Sequence, residues 1–292
     1  MPGLREAAVR GIYRAGWAGA ARVPPGLANR VISVLSAVGL AHNGPHVQTL
    51  RRNLSAATGS AASPALVRAG LASYLRNFYE VLALPARPAS WVLEQVTTVG
   101  EETLRKEFAA NGAVVALPHS ANWDLAGAWA CQTAMPVTTV AEQLGEAEFG
   151  AFLAFRTGLG MQVLSHTDAG TIPALVAAAR TGRLVCLVAD RDLAGRGIPV
   201  SWAGQPITMP GGPALVARLS GAALIPAVCA FTETGMRITF GNVVAARPGR
   251  DGLRAMTQEV ADFFAEQIAR QPEDWHMLQP FFATAGPVQE EP

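Results

Sequence analysis

The chain has 292 residues, half of them apolar and only 15% charged, with a formal net charge of +1. Ordinary soluble domains carry about 25% charged residues, so the composition implies a large apolar interior or a lipid-facing surface. The near-neutral balance excludes nucleic acid as a main partner, because there is no basic excess to meet a phosphate backbone.

In chain order, Pro2 to about Ala21 reads as an amphipathic helix. Val9, Ile12, Tyr13 and Trp17 recur at helical spacing, with Arg10 and Arg14 off the stripe. That pattern fits an interfacial helix on an anionic membrane surface, or equally a helix packed on the core with solvated arginines. Arg5, Arg10, Arg14 and Arg22 interrupt the apolar residues, unlike a signal peptide. Prolines open further helices at about Pro25–Ala41, Pro45–Ala57 and Pro64–Leu84. The last of these is expected to bury Leu66, Leu71, Leu75, Phe78, Val81 and Leu82. The longest uncharged apolar stretch, Val31 to Ala41, falls short of the roughly 18 residues a spanning helix needs.

From about Val96 the pattern changes to short β-rich runs alternating with helices. The expected strands are Val96–Val99, Ala113–Leu117, Val137–Val140, Met161–Leu164, Arg183–Val188, Ile198–Trp202, Ala223–Val228 and Met236–Phe240. Helices fit Glu101–Ala110, Glu146–Leu159, Thr171–Arg180 and Gly252–Arg270. Alternation of this kind predicts an α/β fold, with a mostly parallel central sheet flanked by helices and extra N-terminal helices. Pro199–Pro206 reads instead as a local hairpin turning at Ala203-Gly204. One domain is expected over 1–283, helical to about 90 and α/β beyond it, with a flexible tail at 284–292. Cys131, Cys186 and Cys229 sit in apolar runs, as reduced packing residues would. No Cys/His spacing resembles a metal site.

The chemistry concentrates where Ala113–Leu117 gives way to the helix-like run from Trp123 to Cys131. Leu117-Pro-His119-Ser-Ala-Asn-Trp-Asp124 carries a His and an Asp five positions apart. Side chains at the carboxyl end of a strand face an open crevice. His119 there can take a proton from an alcohol. Asp124, one turn into the helix, is expected to fold back on the ring, fix its tautomer and stabilise the imidazolium. No Gly-x-Ser-x-Gly elbow is present, so the pair reads as a base that activates a substrate hydroxyl. The alternative is a capped helix start with a structural His.

Four further stretches are candidates. Glu142 follows a strand and either contacts a substrate, orients Arg156 or is a solvated loop acid. Arg156 lies among Phe149, Phe152 and Phe155 and could simply snorkel. Asp190-Arg191-Asp192 follows a buried strand, as a polar cleft or a salt-bridged turn would. Pro210, Gly211 and Gly212 precede a helix, where free backbone N–H groups could meet an anion or an oxyanion, or form an ordinary tight turn. His42, His46, His166 and His276 read as structural or surface residues, and Trp275 as a packing anchor.

His119-x4-Asp124 resembles the signature of the glycerolipid and lysophospholipid acyltransferases. In company with Ala141-Glu-Gln143, Phe152-Leu-Ala-Phe-Arg156, Ala189-Asp-Arg-Asp-Leu193, Met209-Pro-Gly-Gly-Pro213 and Pro272-Glu-Asp-Trp275, the chain resembles the bacterial branch of lipid A late acyltransferases and phosphatidylinositol mannoside acyltransferases. The likeness spans nearly the whole chain. It implies a glycerolipid acyltransferase-like fold, at the cytoplasmic face of the cell membrane, moving a palmitoyl chain from acyl-CoA to a mannose 6-hydroxyl of a phosphatidylinositol mannoside. It also implies no cofactor beyond the donor. Arg156 then matches a basic residue that holds the acceptor headgroup, and Asp192 a site contact. A lipid A-type or lysophospholipid acyltransferase is the alternative within enzymes. A non-catalytic lipid-binding protein is the alternative outside them.

Overall fold

The computed structural model describes residues 16–17, 19–141, 146–192 and 195–282. Among the described residues, nine strands form a seven-stranded sheet and a separate hairpin. The strands are β1 (Val96–Val99), β2 (Ala113–Leu117), β3 (Val137–Ala141), β4 (Gln162–Ser165), β5 (Leu184–Val188), β6 (Ile198–Trp202), β7 (Gln205–Met209), β8 (Ala223–Phe231) and β9 (Met236–Phe240). The sheet runs β1-β9-β8-β2-β5-β3-β4. Every neighbouring pair in it is parallel except β8 with β9. This is the expected mostly parallel α/β architecture. Strand β2 is central and buried at all five positions, as a strand covered on both faces must be. Its residues alternate between two cores. Val114 and Ala116 face one, and Ala113, Val115 and Leu117 face the other.

Ten helices are described: α1 (Pro25–His42), α2 (Pro45–Thr58), α3 (Pro64–Ala83), α4 (Ala89–Gln95), α5 (Glu101–Asn111), α6 (Trp123–Gln132), α7 (Glu146–Gly158), α8 (Thr171–Arg180), α9 (Gly212–Ser220) and α10 (Gly249–Arg270). Helices α8, α9 and α10 share one core with the β6–β7 hairpin. Helices α4, α5, α6 and α7 share the other. The hairpin turns at Ala203 and Gly204, both at positive φ (51° and 81°), the geometry that matches the strands' twist. Short helix α4 carries no sequence signal of its own.

The N-terminal helices build a third, smaller core from α2 and α3, and α1 packs on α3. Helix α3 departs from expectation. Its buried face includes Val67, Gly70, Leu71, Ser73, Asn77 and Val81, whereas Phe78 is 48% exposed. Ser73 is turned inward because it meets a polar network in the C-terminal segment, described below, while the buried Asn77 Oδ1 has no hydrogen-bond partner among the described residues. Trp17 is half-buried and stacks on Phe155 at 6.0 Å between ring centroids, so the end of the N-terminal stripe lies on the protein. Tyr13, Arg10, Arg14 and the tail 284–292 are outside the described residues. Cys229 is buried, but Cys131 and Cys186 are only half-buried, and all three thiols are free.

Candidate active site

Strands β2 and β5 are neighbours in a register that sets Leu117 opposite Val188. The Ala189 N–H donates to the Leu117 carbonyl at 2.8 Å, extending the ladder one step. The chain therefore leaves both strands at the same level. The second residue beyond β2 is His119, and the second beyond β5 is Asp190. The His119 Nδ1 lies 2.5 Å from Asp190 Oδ1, and the His119 backbone N–H donates to Asp190 Oδ2 at 2.9 Å. The Trp275 indole N–H donates to the same Oδ2 at 3.0 Å.

This corrects the expected pairing of His119 with Asp124. Asp124 is the second residue of α6, and its carboxylate is held by Arg156 of α7. The Arg156 Nε donates to Oδ1 at 2.6 Å and Nη2 to Oδ2 at 3.3 Å. The ring nitrogen that Asp124 was to hold is taken by Asp190. Burial alone would lower the Arg156 pKa, but the Asp124 carboxylate more than offsets it and the pKa is raised. Burial alone would raise the Asp190 carboxyl, but the His119 ring and N–H groups of His119 and Trp275 hold it below its ordinary value. An ionised Asp190 accepts only, so His119 carries its proton on Nδ1. In the neutral ring Nε2 is then the base, and it has no hydrogen-bond partner among the described residues.

The loop between β2 and α6 is held tightly. Ala121 sits in the left-handed region at φ 45°, a conformation costing a non-glycine residue of order 1–3 kcal/mol. The C-terminal segment holds it there. The Ala121 N–H donates to the Asp274 carbonyl at 2.9 Å, and the His276 N–H donates to the His119 carbonyl at 2.8 Å. Ser120 forms a bridge with Trp275. Asn122 then caps α6, accepting from the Leu125 N–H at 2.9 Å. Its amide donates to Glu80 of α3 at 3.2 Å.

The other sequence candidates separate. Asp192 accepts from the Gly197 N–H at 2.7 Å and the Thr208 hydroxyl at 2.9 Å, folding its loop onto β7. Pro210, Gly211 and Gly212 form the β7–α9 corner. An added Cβ on Gly211 would come within 2.4 Å of Ile198. Among the described residues, no hydrogen bond joins that corner to His119 or Asp190. Glu142 lies outside the described residues. In the sequence Asp190 stands out only as part of the Asp190-Arg191-Asp192 run, with Asp192 favoured, and Trp275 and His276 read as packing and structural residues. The usable signal was positional, since Asp190 stands as far beyond its strand as His119 does beyond its own.

The model of the bacterial lipid A biosynthesis acyltransferase family matches residues 4–284. The chain belongs to that family. A phosphatidylinositol mannoside acyltransferase of Mycolicibacterium smegmatis is 39% identical over 275 residues, covering 92% of this chain and 89% of the relative. One of the same name from Mycobacterium tuberculosis is 38% identical over 277 residues, covering 92% and 86%. The solved structure of the 1-acyl-sn-glycerophosphate (LPA) acyltransferase PlsC from Thermotoga maritima superposes with a TM-score of 0.41 at 12% identity, covering 82% of this chain and 97% of that one.

As a member of the lipid A acyltransferase family, the chain is an acyltransferase. Its structure offers an apolar cleft of about 600 Å³, counting the open mouth. Trp123, Asp124 and Arg156 line it together with Leu104, Val115, Leu117, Trp129, Ile238 and Phe240. The Trp123 ring meets the His119 ring edge-on, with centroids 5.2 Å apart. Trp123 thus joins the His119 ring to a cleft that lies between α6 and the sheet.

Behind the dyad lies a second buried acid. Asp274 accepts from the Ser73 hydroxyl, the Phe231 N–H and the Gln271 amide, each at 2.6 Å. Burial nevertheless pushes its pKa up to about 6. An unfolded aspartate titrates near 3.9, so the folded state holds this proton more tightly. The resulting stability is full below about pH 4 and is lost as pH rises through 6, by about 3 kcal/mol in total. Asp274→Asn removes that titration. Chemical denaturation at several pH values from 4.5 to 7.5 is expected to give a stability difference, wild type minus variant, that falls with rising pH. Asp190 pulls in the opposite sense but is common to both proteins and cancels. Parallel profiles would assign the slope to other groups.

Proposed function

We propose that the protein transfers a long acyl chain, palmitoyl, from acyl-CoA to a mannose 6-hydroxyl of a phosphatidylinositol mannoside at the cytoplasmic face of the membrane. One observation carries the chemistry: an imidazole whose Nδ1 is held by Asp190 and whose Nε2 has no partner among the described residues, in ring contact with Trp123 of an apolar cleft. The names of the relatives, at 38–39% identity over nine-tenths of the chain, support the acceptor.

In this mechanism His119 Nε2 takes the hydroxyl proton as the sugar oxygen attacks the thioester carbonyl. Asp190 stabilises the imidazolium that forms. The tetrahedral intermediate collapses, the C–S bond breaks, and the proton passes from Nε2 to the departing thiolate. The new ester and the free thiol balance the reaction without a covalent acyl-enzyme. Arg156 neutralises Asp124 beside the reacting carbonyl, and its Nη1 remains uncommitted among the described residues. Glu142 keeps its proposed role as an acceptor contact, and Gly211 and Gly212 theirs as backbone donors.

Mass spectrometry of products from purified phosphatidylinositol mannosides and a panel of acyl-CoA donors tests the reading. Transfer to lysophospholipid or lipid A precursors instead would favour the alternative acceptors. His119→Ala is expected to abolish transfer. Asp190→Asn is expected to lower kcat by about 10³–10⁴-fold, as loss of the orienting acid does in triads. Asp124→Asn should cost less, because its partner is Arg156. If Asp124→Asn proves the more damaging of the two, the dyad is wrongly assigned.

The cleft predicts donor selectivity. Each buried methylene contributes about 0.8 kcal/mol, so every two carbons removed from the donor should weaken its binding by about an order of magnitude. Ala130 lines the cleft and is buried. Ala130→Phe is expected to move the preferred donor to shorter chains in competition assays. An unchanged preference would place the acyl chain elsewhere.

Membrane association has support in α1. Leu27, Val31, Val34, Leu35 and Val38 are 48–61% exposed and repeat on one helical face. No helix among the described residues is long and apolar enough to cross a membrane. An exposed apolar stripe on a helix suits insertion among headgroups. Val34→Glu with Val38→Glu leaves the core untouched. It is expected to reduce co-sedimentation with anionic vesicles several-fold. Unchanged sedimentation would remove α1 from the docking surface.

A further inference from the structure

Three polar groups beside the dyad have hydrogen-bonding capacity that the protein does not use. The first is His276, only 8% exposed. Its Nε2 lies 2.9 Å from the Ser73 hydroxyl oxygen, which lies 2.6 Å from Asp274 Oδ1. A hydroxyl has one hydrogen, and the carboxylate claims it. Nε2 must therefore carry the ring proton and donate to Ser73. Burial pushes the His276 pKa down to about 3, so the ring is neutral and its Nδ1 is a bare lone pair. That Nδ1 is buried without a partner. A buried acceptor left unmade is costly, which points to a ligand donor at this position.

The second is the hydroxyl of half-buried Tyr74, whose ring meets His276 edge-on at 5.6 Å. No described residue bonds to that hydroxyl. The third is Arg191, the residue after Asp190. Asp190 is hydrogen-bonded to Trp275, the chain neighbour of His276, at 3.0 Å, so Arg191 leaves the strand end beside that segment, and its charge opposes the rise that burial gives the Tyr74 pKa. Arg191 is half-buried and makes no hydrogen bond or ion pair with any described residue. The other arginine of the site, Arg156, already has the Asp124 carboxylate as its counter-ion.

We propose that Tyr74, Arg191 and His276 form the acceptor subsite. Arg191 meets the phosphate of a phosphoinositol headgroup, and His276 Nδ1 accepts a hydrogen bond from a hydroxyl of the same molecule. This rests on the reading of the protein as an acyltransferase acting on a phosphoinositol glycolipid. A planar guanidinium without a counter-ion suits a phosphate diester, which it can grip with two hydrogen bonds. The phosphates of CoA share that chemistry, so the test must separate the two sources.

Calorimetry with deacylated headgroups does so without requiring turnover. The probes are glycerophosphoinositol dimannoside, its phosphate-free dimannosyl inositol counterpart, and CoA. Wild type is expected to bind the phosphate-bearing headgroup about 10- to 100-fold more tightly than the phosphate-free one, the range of a charge-assisted hydrogen bond. Arg191→Gln is expected to erase that preference while CoA binding stays within about twofold. Weakened CoA binding with an unchanged headgroup preference would assign Arg191 to the donor and overturn the proposal, as would no change in either. For His276, an Asn side chain places a carbonyl where Nδ1 stands, and a Gln amide reaches toward the Nε2 position. His276→Asn should therefore retain more headgroup affinity than His276→Gln, and the reverse order would overturn its role as an acceptor. If wild type discriminates the headgroups as expected but transfers no acyl chain to the lipid, the subsite stands and the reaction assigned above falls.

Discussion

A carboxylate with no exposed surface must be met by donors on every side that carries charge. Asp190, fully buried, meets three: the His119 ring, the His119 backbone N–H and the Trp275 indole. Each donor comes with a structural consequence. The backbone bond fixes where the chain leaves β2. The ring bond fixes the tautomer. The indole bond ties in the C-terminal segment, which in turn holds Ala121 in its left-handed conformation. Remove the charge from Asp190 and all three donors lose their reason to converge. The reactive geometry and the path of the loop are consequences of a single buried charge.

The two acids of the site divide the work by where their strands and helices deliver them. Asp190 arrives from a neighbouring strand end, level with His119, and can reach the ring from below. Asp124 arrives on α6, whose exit from the loop aims it at the α7 helix and Arg156. A single carboxylate could not both satisfy a buried guanidinium bidentately and hold the imidazole. Pairing Asp124 with Arg156 also keeps two buried charges neutral at the mouth of an apolar cleft, where an unpaired charge would be strongly disfavoured. The low overall charge of the chain has the same logic, since the walls along such a cleft must be apolar.

The sheet was legible because its central strands β2 and β8 are buried on both faces and its strands read as short apolar, β-rich runs between turn signals. Strand and helix boundaries inferred from the sequence fall within a few residues of those observed, and the Ala203-Gly204 turn stands where the sequence places it. His119 was legible because of its position at a strand end. Its partner was not, because strand order is a long-range property. Nothing local in the sequence says that β5, rather than β3, lies beside β2. Helix α3 misled for a related reason. Its apolar stripe predicts one buried face, but Ser73 and Asn77 are inside, and the partner of Ser73 lies 201 residues away in the chain. Periodicity finds apolar faces and is blind to a polar face that is buried because it is satisfied. Trp275 and His276 are overlooked through the same blindness, since the side chains they meet, Asp190 and Ser73, lie far away in the chain.

The segment Pro272–Met277 therefore belongs to the site as much as the His119 loop does. It donates to Asp190 through Trp275, accepts from Ala121 at Asp274, and presents His276 to the same space. It is also anchored on α3, through Ser73, and on β8, through the Phe231 N–H. A strained loop persists only where its surroundings over-determine it, and here the surroundings come from an early helix, two strands and the end of the chain. Local loosening of the C-terminal segment would release Ala121 and His119 together, before the sheet itself opened. The base is positioned by a segment that follows every strand of the sheet in sequence, so the activity should appear only once that segment has docked, although the sheet that carries His119 is complete without it.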